Sequence, residues 1–411
     1  MSARHDTGGG ATIWARNGDL LVFAVNGMAT ASWTSRIPDI KQHLGFSPGQ
    51  LSILLLGVSF GSLCGLPIAG RIARAIGTRN TVRLGLFLML PGLLMAAVAI
   101  TVRAPLPVMI LTMFLTGLGI GIWDVAQNLE GTFIEVETGH AIMPWFHAAF
   151  SGGTVVAALV SAGLIWLHVP LLAHIAGMVV VVGIAAWWGS GRYLPDGMVT
   201  RAETTAGDQV AVVAPAARSA WTEPRTLLIG VMVLAAAFTE GAANDWMAVA
   251  FVEGHHLPTA LGVVALSVFL VFMTCGRILG TAMLDRYGRV AVLRVLFSAA
   301  VVGCLLVVLG PPWLAFVGAA IWGVGASLGF PVGMSAAGDD PLRTSYRISV
   351  VSTIGYGAFL GGPSLLGFLG DHFGVLHALL AVGIMAIFAL IVVPAARPLT
   401  TASGESAVSS G

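Results

Sequence analysis

Residues 61–90 read GSLCGLPIAGRIARAIGTRNTVRLGLFLML. Apolar letters run to Ala69, a turn carries Gly70, Arg71, Arg74, Gly77, Arg79 and Arg83, and apolar letters resume. Followed outward, each apolar run approaches the ~20 residues a helix needs to cross a bilayer. Lipid offers the backbone no hydrogen-bond partners, so a helix that satisfies itself internally is the conformation left to each run. The stretch therefore reads as two membrane-spanning helices, roughly 49–71 and 82–102, joined by a basic turn.

Composition extends that reading to the whole chain. Of 411 residues, 57% are hydrophobic and only 9% charged, against about 25% charged in a soluble domain. The 53 glycines show no three-residue period, and three cysteines make no disulfide scaffold; Cys64, Cys275 and Cys304 all sit in apolar stretches. The net charge is +1 and Lys41 is the only lysine, so nucleic-acid binding has no basic run to build on. An all-α membrane protein remains. Its spans are expected near 17–36, 49–71, 82–102, 107–130, 145–167, 170–190, 226–249, 259–283, 291–311, 313–337, 348–369 and 375–394. A polar linker over 191–224, with Arg192, Arg201, Asp208 and Arg218, divides six spans (1–190) from six (225–394), and a tail occupies 395–411.

Arg4, Arg16, the run Leu20 to Val25 and Ala29-Thr30-Ala31 imitate a signal peptide, but Asn26 cuts the run short and apolar character resumes beyond it. The segment is read as the first span. With the N-terminus placed in the cytoplasm, all but Arg36, Lys41 and Arg103 of the twenty basic residues fall on the cytoplasmic side. That bias puts both termini in the cytoplasm.

The second half repeats the first. At an offset of 211, Cys64-Gly65 meets Cys275-Gly276, Gly77 meets Gly288 and Arg83 meets Arg294; at 209, AFSGG (149–153) meets AFLGG (358–362); at 213, Trp33 meets Trp246. The unit is six helices used twice in the same orientation. It also supports the first span, whose removal would orphan Trp33. Two such halves resemble the major facilitator superfamily of secondary transporters, whose turn between helices 2 and 3 carries G-x-x-x-D-R-x-G-R-R. Here the copies are GRIARAIGTR (70–79), with Arg74 in place of the acid, and TAMLDRYGRV (281–290), which keeps Asp285, Arg286 and Gly288. The strings WTSRIPDIKQHLG, WDVAQN, HAAFSGG, EGAANDW and GYGAFLGGPSLLG resemble the inner-membrane group related to fucose permease.

Ionisable groups inside hydrocarbon are expensive and mark function. Asp124, followed after one turn by Gln127 and Asn128, suits a site that takes a proton from one side and releases it to the other. The resemblance places an acid of helix 4 in proton coupling, at Asp124. In helix 7, Glu240 is a candidate second protonation site and Asn244, Asp245 and Trp246 candidate substrate contacts; helices 1, 4, 7 and 10 line the path in that family. Asn26, Thr30 and Trp33 form a polar and aromatic stripe that suits sugars or polyols, or serves as packing glue. His147, matched by Tyr356 in the repeat, stands at a depth where a relay to Asp124 is allowed. By resemblance, Arg74, Gly77, Arg277, Asp285, Arg286 and Gly288 form a cytoplasmic gate.

Gly-rich TGLGIG (116–121) and GVGASLG (323–329) lie inside apolar spans, where glycine lets helices approach, and so do not read as nucleotide loops. The same is expected of Gly57, Gly61 and Gly65, and of Gly357 and Gly361; Pro67, Pro331 and Pro363 are expected to bend helices. Glu253 with His255-His256 reads as a solvated turn rather than a metal site. The expected protein is not an enzyme and uses no cofactor and no metal. It is a monomeric proton-coupled symporter of a small polar solute, with a sugar as first choice. A drug or metabolite exporter is the alternative, ahead of a membrane enzyme or sensor. Thr154, where the family's antiporters have proline, tips the choice to uptake.

Overall fold

The computed structural model describes residues 6–140, 142–195, 220–339 and 343–398. Arg4, most of the linker including Arg201, Asp208 and Arg218, and the tail beyond 398 lie outside the described residues. The first span is Asp6–Thr34, followed by a short helix Ile37–Leu44. Two very long helices, Pro48–Thr101 and Thr259–Leu309, hold 54 and 51 residues. Straight, each would be about 80 Å long, far more than a ~30 Å hydrocarbon layer accepts. Each is broken in its middle by a single glycine, Gly77 (φ 80°, ψ 159°) and Gly288 (φ 75°, ψ 160°), a conformation that side chains resist. The chain turns back there, so each long helix supplies two spans, the second and third and the eighth and ninth.

The other spans are Leu106–Thr138, Met143–Trp166, Leu171–Ser190 and Pro224–Glu253, then Pro312–Ala326 with Gly329–Ala337, Thr344–Phe373, and Val375–Ala378 with Leu380–Val392. That makes the twelve expected, and the described residues contain no strand. The tenth span breaks at Ser327–Leu328. Pro331 lacks the N–H that would bond the Ser327 carbonyl four residues back, and its ring crowds that turn. Pro67 and Pro363 sit inside continuous helices instead.

The two halves pack by one plan. The first span lies on the fifth and sixth and the fourth on the second and third, just as the seventh lies on the eleventh and twelfth and the tenth on the eighth and ninth. Close approach is clearest where a Cβ on Gly61 would stand 2.1 Å from the Phe114 oxygen and one on Gly117 2.0 Å from the Val58 oxygen. The expectation for Gly361 fails, since nothing lies within 4 Å of a Cβ there, and Gly357 meets only Leu234 at 3.7 Å; Gly367, against Ser52, makes the close contact of that helix.

Between halves, the second span meets the eleventh and the fifth meets the eighth. At the end away from the termini, one apolar cluster runs through both halves, joining Leu51, Leu55, Ala158 and Ala162 to Phe251, Leu266 and Leu366. Polar ties cross the same end: Lys41 pairs with Glu253, the Gly49 N–H donates to Asp371 at 3.1 Å, and the Ser52 hydroxyl donates to the Pro363 carbonyl at 2.7 Å. At the end that carries the termini, the described residues show separate apolar clusters and no hydrogen bond or ion pair between halves. The molecule is shut at the far end.

Candidate functional site

The innermost cross-half tie lies at the Arg277 guanidinium. Its Nη2 donates to both carboxylate oxygens of Glu240 at 2.8 Å, and its Nη1 donates to the Ser151 hydroxyl of the fifth span at 3.3 Å. Its Nε donates to the Ser327 carbonyl at 3.2 Å, the oxygen that Pro331 leaves without a helical partner. Both members of the pair are about a quarter exposed (26% and 25%), so the arginine is held by fixed partners yet stays reachable by solute and water. Arg277 thus belongs to the middle of the molecule beside Glu240, not to a gate cluster with Asp285 and Arg286. It lies eleven residues, about 16 Å of helix, before the turn at Gly288.

Asp124 is half-buried on the fourth span. Its Oδ1 accepts from Gln127 Nε2 at 3.0 Å and Asn128 Nδ2 at 3.4 Å, while Asn128 also bonds the Asp124 carbonyl at 2.8 Å. The expected three-residue group is therefore assembled on one face. His147 is not joined to Asp124. It stands edge-on to Phe23, with ring centroids 5.5 Å apart, and is exposed to the Arg277 charge.

The aromatic platforms are placed differently from expectation. Trp33 (8% exposed) belongs to the core of the first half and Trp246 (1%) to the cluster at the shut end. Asn26 is buried, and the Thr30 hydroxyl donates to its carbonyl at 3.1 Å within the same helix. Asn244 and Asp245 are half-buried. Asp245 faces a cavity of about 20 Å³ with Ser59, Ala358 and Gly362, room for one water. Arg74, Asp285 and Arg286 are exposed, and the described residues show no bond from them to the opposite half, so a gate between halves is not formed in this arrangement. A larger cavity, about 520 Å³, opens on the far rim beside Arg36, Asp39 and Thr259, away from the central path.

Several polar groups escape a reading of the sequence. Asp19 is fully buried and accepts from the Tyr193 hydroxyl at 2.7 Å; Glu130, also buried, accepts from Thr78 and from the Leu194 N–H, both at 2.6 Å. Asp339 holds Arg225 at 2.8 Å and Arg289 at 2.6 Å, and Glu223 holds Arg343 and Arg347. Burial works against the Glu223 charge, but hydrogen bonds from Arg347 and Thr226 and the two guanidinium charges outweigh it, holding the carboxyl below its ordinary value. At the far end, buried Arg36 bonds His174, Asp39 and the Val169 carbonyl. Asp19, Glu130 and Glu223 all look like span-edge charges in a sequence, and Tyr193 gives no sign that it folds back over them.

Twelve spans in two like-packed halves, with an ion pair at mid-depth beside the seam, define a multi-pass membrane protein. Residues 20–345 match the sequence profile of the Major Facilitator Superfamily, and the chain belongs to that family. An uncharacterised transporter of Sinorhizobium fredii, y4wD, is 28% identical over 377 residues, covering 90% of this chain and 95% of the relative. Among solved structures, a point mutant of the nucleoside transporter NupG superposes with a TM-score of 0.74 at 14% identity over 94% of this chain and 99% of that one. The E. coli fucose:proton symporter FucP gives 0.59 at 17% identity over 94% and 100%. At these identities the structural likeness carries the fold.

Proposed function

We propose that this transporter is a proton-coupled symporter of a small polar solute, with sugars and polyols as the first class to test, working by alternating access in a bacterial inner membrane with both termini in the cytoplasm. One observation carries the reading: Arg277 is gripped by both oxygens of Glu240 while it reaches Ser151 across the seam. Protonating Glu240 removes the charge that holds Arg277 and frees its donors for solute hydroxyls or for Asp124. One proton thereby changes both the binding groups and a tie between the halves, which is what coupling requires. Asp124 offers a second carboxyl, positioned by Gln127 and Asn128. FucP, similar in fold, is a proton symporter, which supports this direction over export.

Counterflow and pH-gradient-driven uptake in proteoliposomes, read with a solute panel and an internal pH dye, test the reading. Asp124→Asn and Glu240→Gln are expected to abolish gradient-driven accumulation, at least tenfold below wild type, while counterflow persists. Full accumulation in both variants sinks the coupling role, and a panel in which no sugar or polyol exchanges sinks the substrate class.

A further inference from the structure

The first half carries a cluster of arginines that the transport site does not use. At the termini end, Arg79 and Arg83 open the third span and Arg192 follows the sixth. None has a carboxylate within salt-bridge distance among the described residues. Three acids at this end are committed elsewhere: Asp19 to Tyr193, Glu130 to Thr78 and the Leu194 N–H, and Glu135 to the N–H groups of Ile142 and Met143.

Two of these cations are fixed on tryptophan faces at the rim of the bundle. The Arg83 guanidinium carbon lies 3.9 Å from the ring centre of Trp187, while its Nε is buried and makes no hydrogen bond. Arg192 stacks on Trp188, approaches the Trp14 ring at 5.3 Å, and donates from Nη1 to the Trp188 carbonyl at 3.2 Å. Arg83 reaches the backbone beside Arg192: a Cβ on Gly191 would stand 3.7 Å from Arg83 Nη2. Trp187 and Trp188 are about half exposed. One turn deeper, Phe87 packs edge-on against Trp187, with ring centroids 6.2 Å apart, and the outward-facing flank continues through Ile184.

We propose that this corner, between the first, third and sixth spans, binds the headgroup of an anionic glycerophospholipid in the leaflet at the termini side. Arg83 and Arg192 take the phosphate oxygens, the tryptophans sit at headgroup depth, and Phe87 with Ile184 receives an acyl chain. Stacking fixes each guanidinium without neutralising it, so the positive charge stays available for an anion. The apolar flank beneath the arginines selects a lipid over free phosphate. In the second half Asp339 neutralises Arg225 and Arg289, and Arg294, the repeat counterpart of Arg83, has no aromatic ring stacked on it among the described residues.

Native mass spectrometry of the purified full-length protein tests this, with phosphatidylglycerol and phosphatidylcholine of equal chain length supplied at equal amounts. Wild type is expected to retain phosphatidylglycerol in clear excess. Arg83→Gln and Arg192→Gln are each expected to lower that retention about fivefold, and together about twentyfold, whereas Arg71→Gln, an exposed cation elsewhere on the same half, leaves it unchanged. Equal retention of both lipids by wild type overturns the proposal whatever the variants do. So does an undiminished preference in the folded double variant, or a loss as large in Arg71→Gln, which marks a diffuse charge effect. Complete displacement by an excess of inorganic phosphate marks a free-phosphate site and also overturns it.

Discussion

The two halves share a backbone and differ in how they treat charge. Gly77 and Gly288 adopt the same left-handed conformation at matching positions, and the helices around them pack in the same pairs. Yet the second half ties Arg225, Arg289, Arg343 and Arg347 at the termini end to Asp339 and Glu223, while the first buries Asp19 and Glu130 against hydroxyls and a backbone N–H and, among the described residues, pairs none of Arg79, Arg83 and Arg192 with an acid. The centre is divided in the same manner. Where the second half has Glu240 and Arg277, the repeat sets Gly27 and Leu66 in the first; where the first has Asp124, positions 333–335 hold no acid. Glycine contacts and turns persist because backbone packing tolerates little change. Charges at the centre are free to differ, and here each half contributes its own, Asp124 from the first and Glu240 with Arg277 from the second.

The sharpest way to break this comparison is to remove the asymmetry. Arg277→Leu, which copies Leu66, leaves the Glu240 carboxylate without its partner and is expected to cost about 2 kcal/mol of stability after allowance for partial exposure, read as a fall in melting temperature, and to abolish gradient-driven uptake. Arg277→Leu with Glu240→Gly, which makes this part of the second half like the first, is expected to regain thermal stability without regaining gradient-driven uptake. Recovery of uptake in the double variant would show that the asymmetry is incidental. Next in size, Gly77→Ala and Gly288→Ala test the shared backbone. At Gly288 a Cβ meets nothing within 4 Å, and both glycines hold a φ near 80°, so backbone strain sets the cost. Each substitution is expected to destabilise by about 1–3 kcal/mol and by similar amounts, read as melting-temperature shifts. Clearly unequal shifts would mean that the two turns are not equivalent.

The smallest effect concerns Glu223. Its carboxyl is held below the ordinary 4.5, so its contribution to stability is fully present above that pH and is lost as pH falls through the depressed folded-state value. Melting temperatures of wild type and Glu223→Gln are therefore expected to differ by a constant, small amount from about pH 7 down to about 4.5, and to converge at lower pH. A gap that widens on acidification contradicts the sign of that shift.

Fold and site are legible to different degrees for physical reasons. Span length, the arginine-bearing turns and the repeat are properties of consecutive residues, so the twelve helices and the turns at Gly77 and Gly288 follow from the letters. Asp124 with Gln127 and Asn128 is equally local, one helix turn on one face. Arg277 illustrates what is not local. It stands eight residues before Asp285, which groups the two in the sequence, but the carbonyl freed by Pro331 and the facing Glu240 hold it at mid-depth. Trp33 and Trp246 show the same limit. Helical spacing says which residues share a face, whereas the neighbouring helices decide whether that face looks to the path or to the core, and both tryptophans look to the core.

The seam between the halves has one further consequence. Its two helix contacts, second with eleventh and fifth with eighth, exchange with each other when the halves are exchanged. That is the interface two identical six-helix chains make when they associate about a twofold axis, each patch serving as its own complement. The structure thus has the geometry of a homodimer fused end to end.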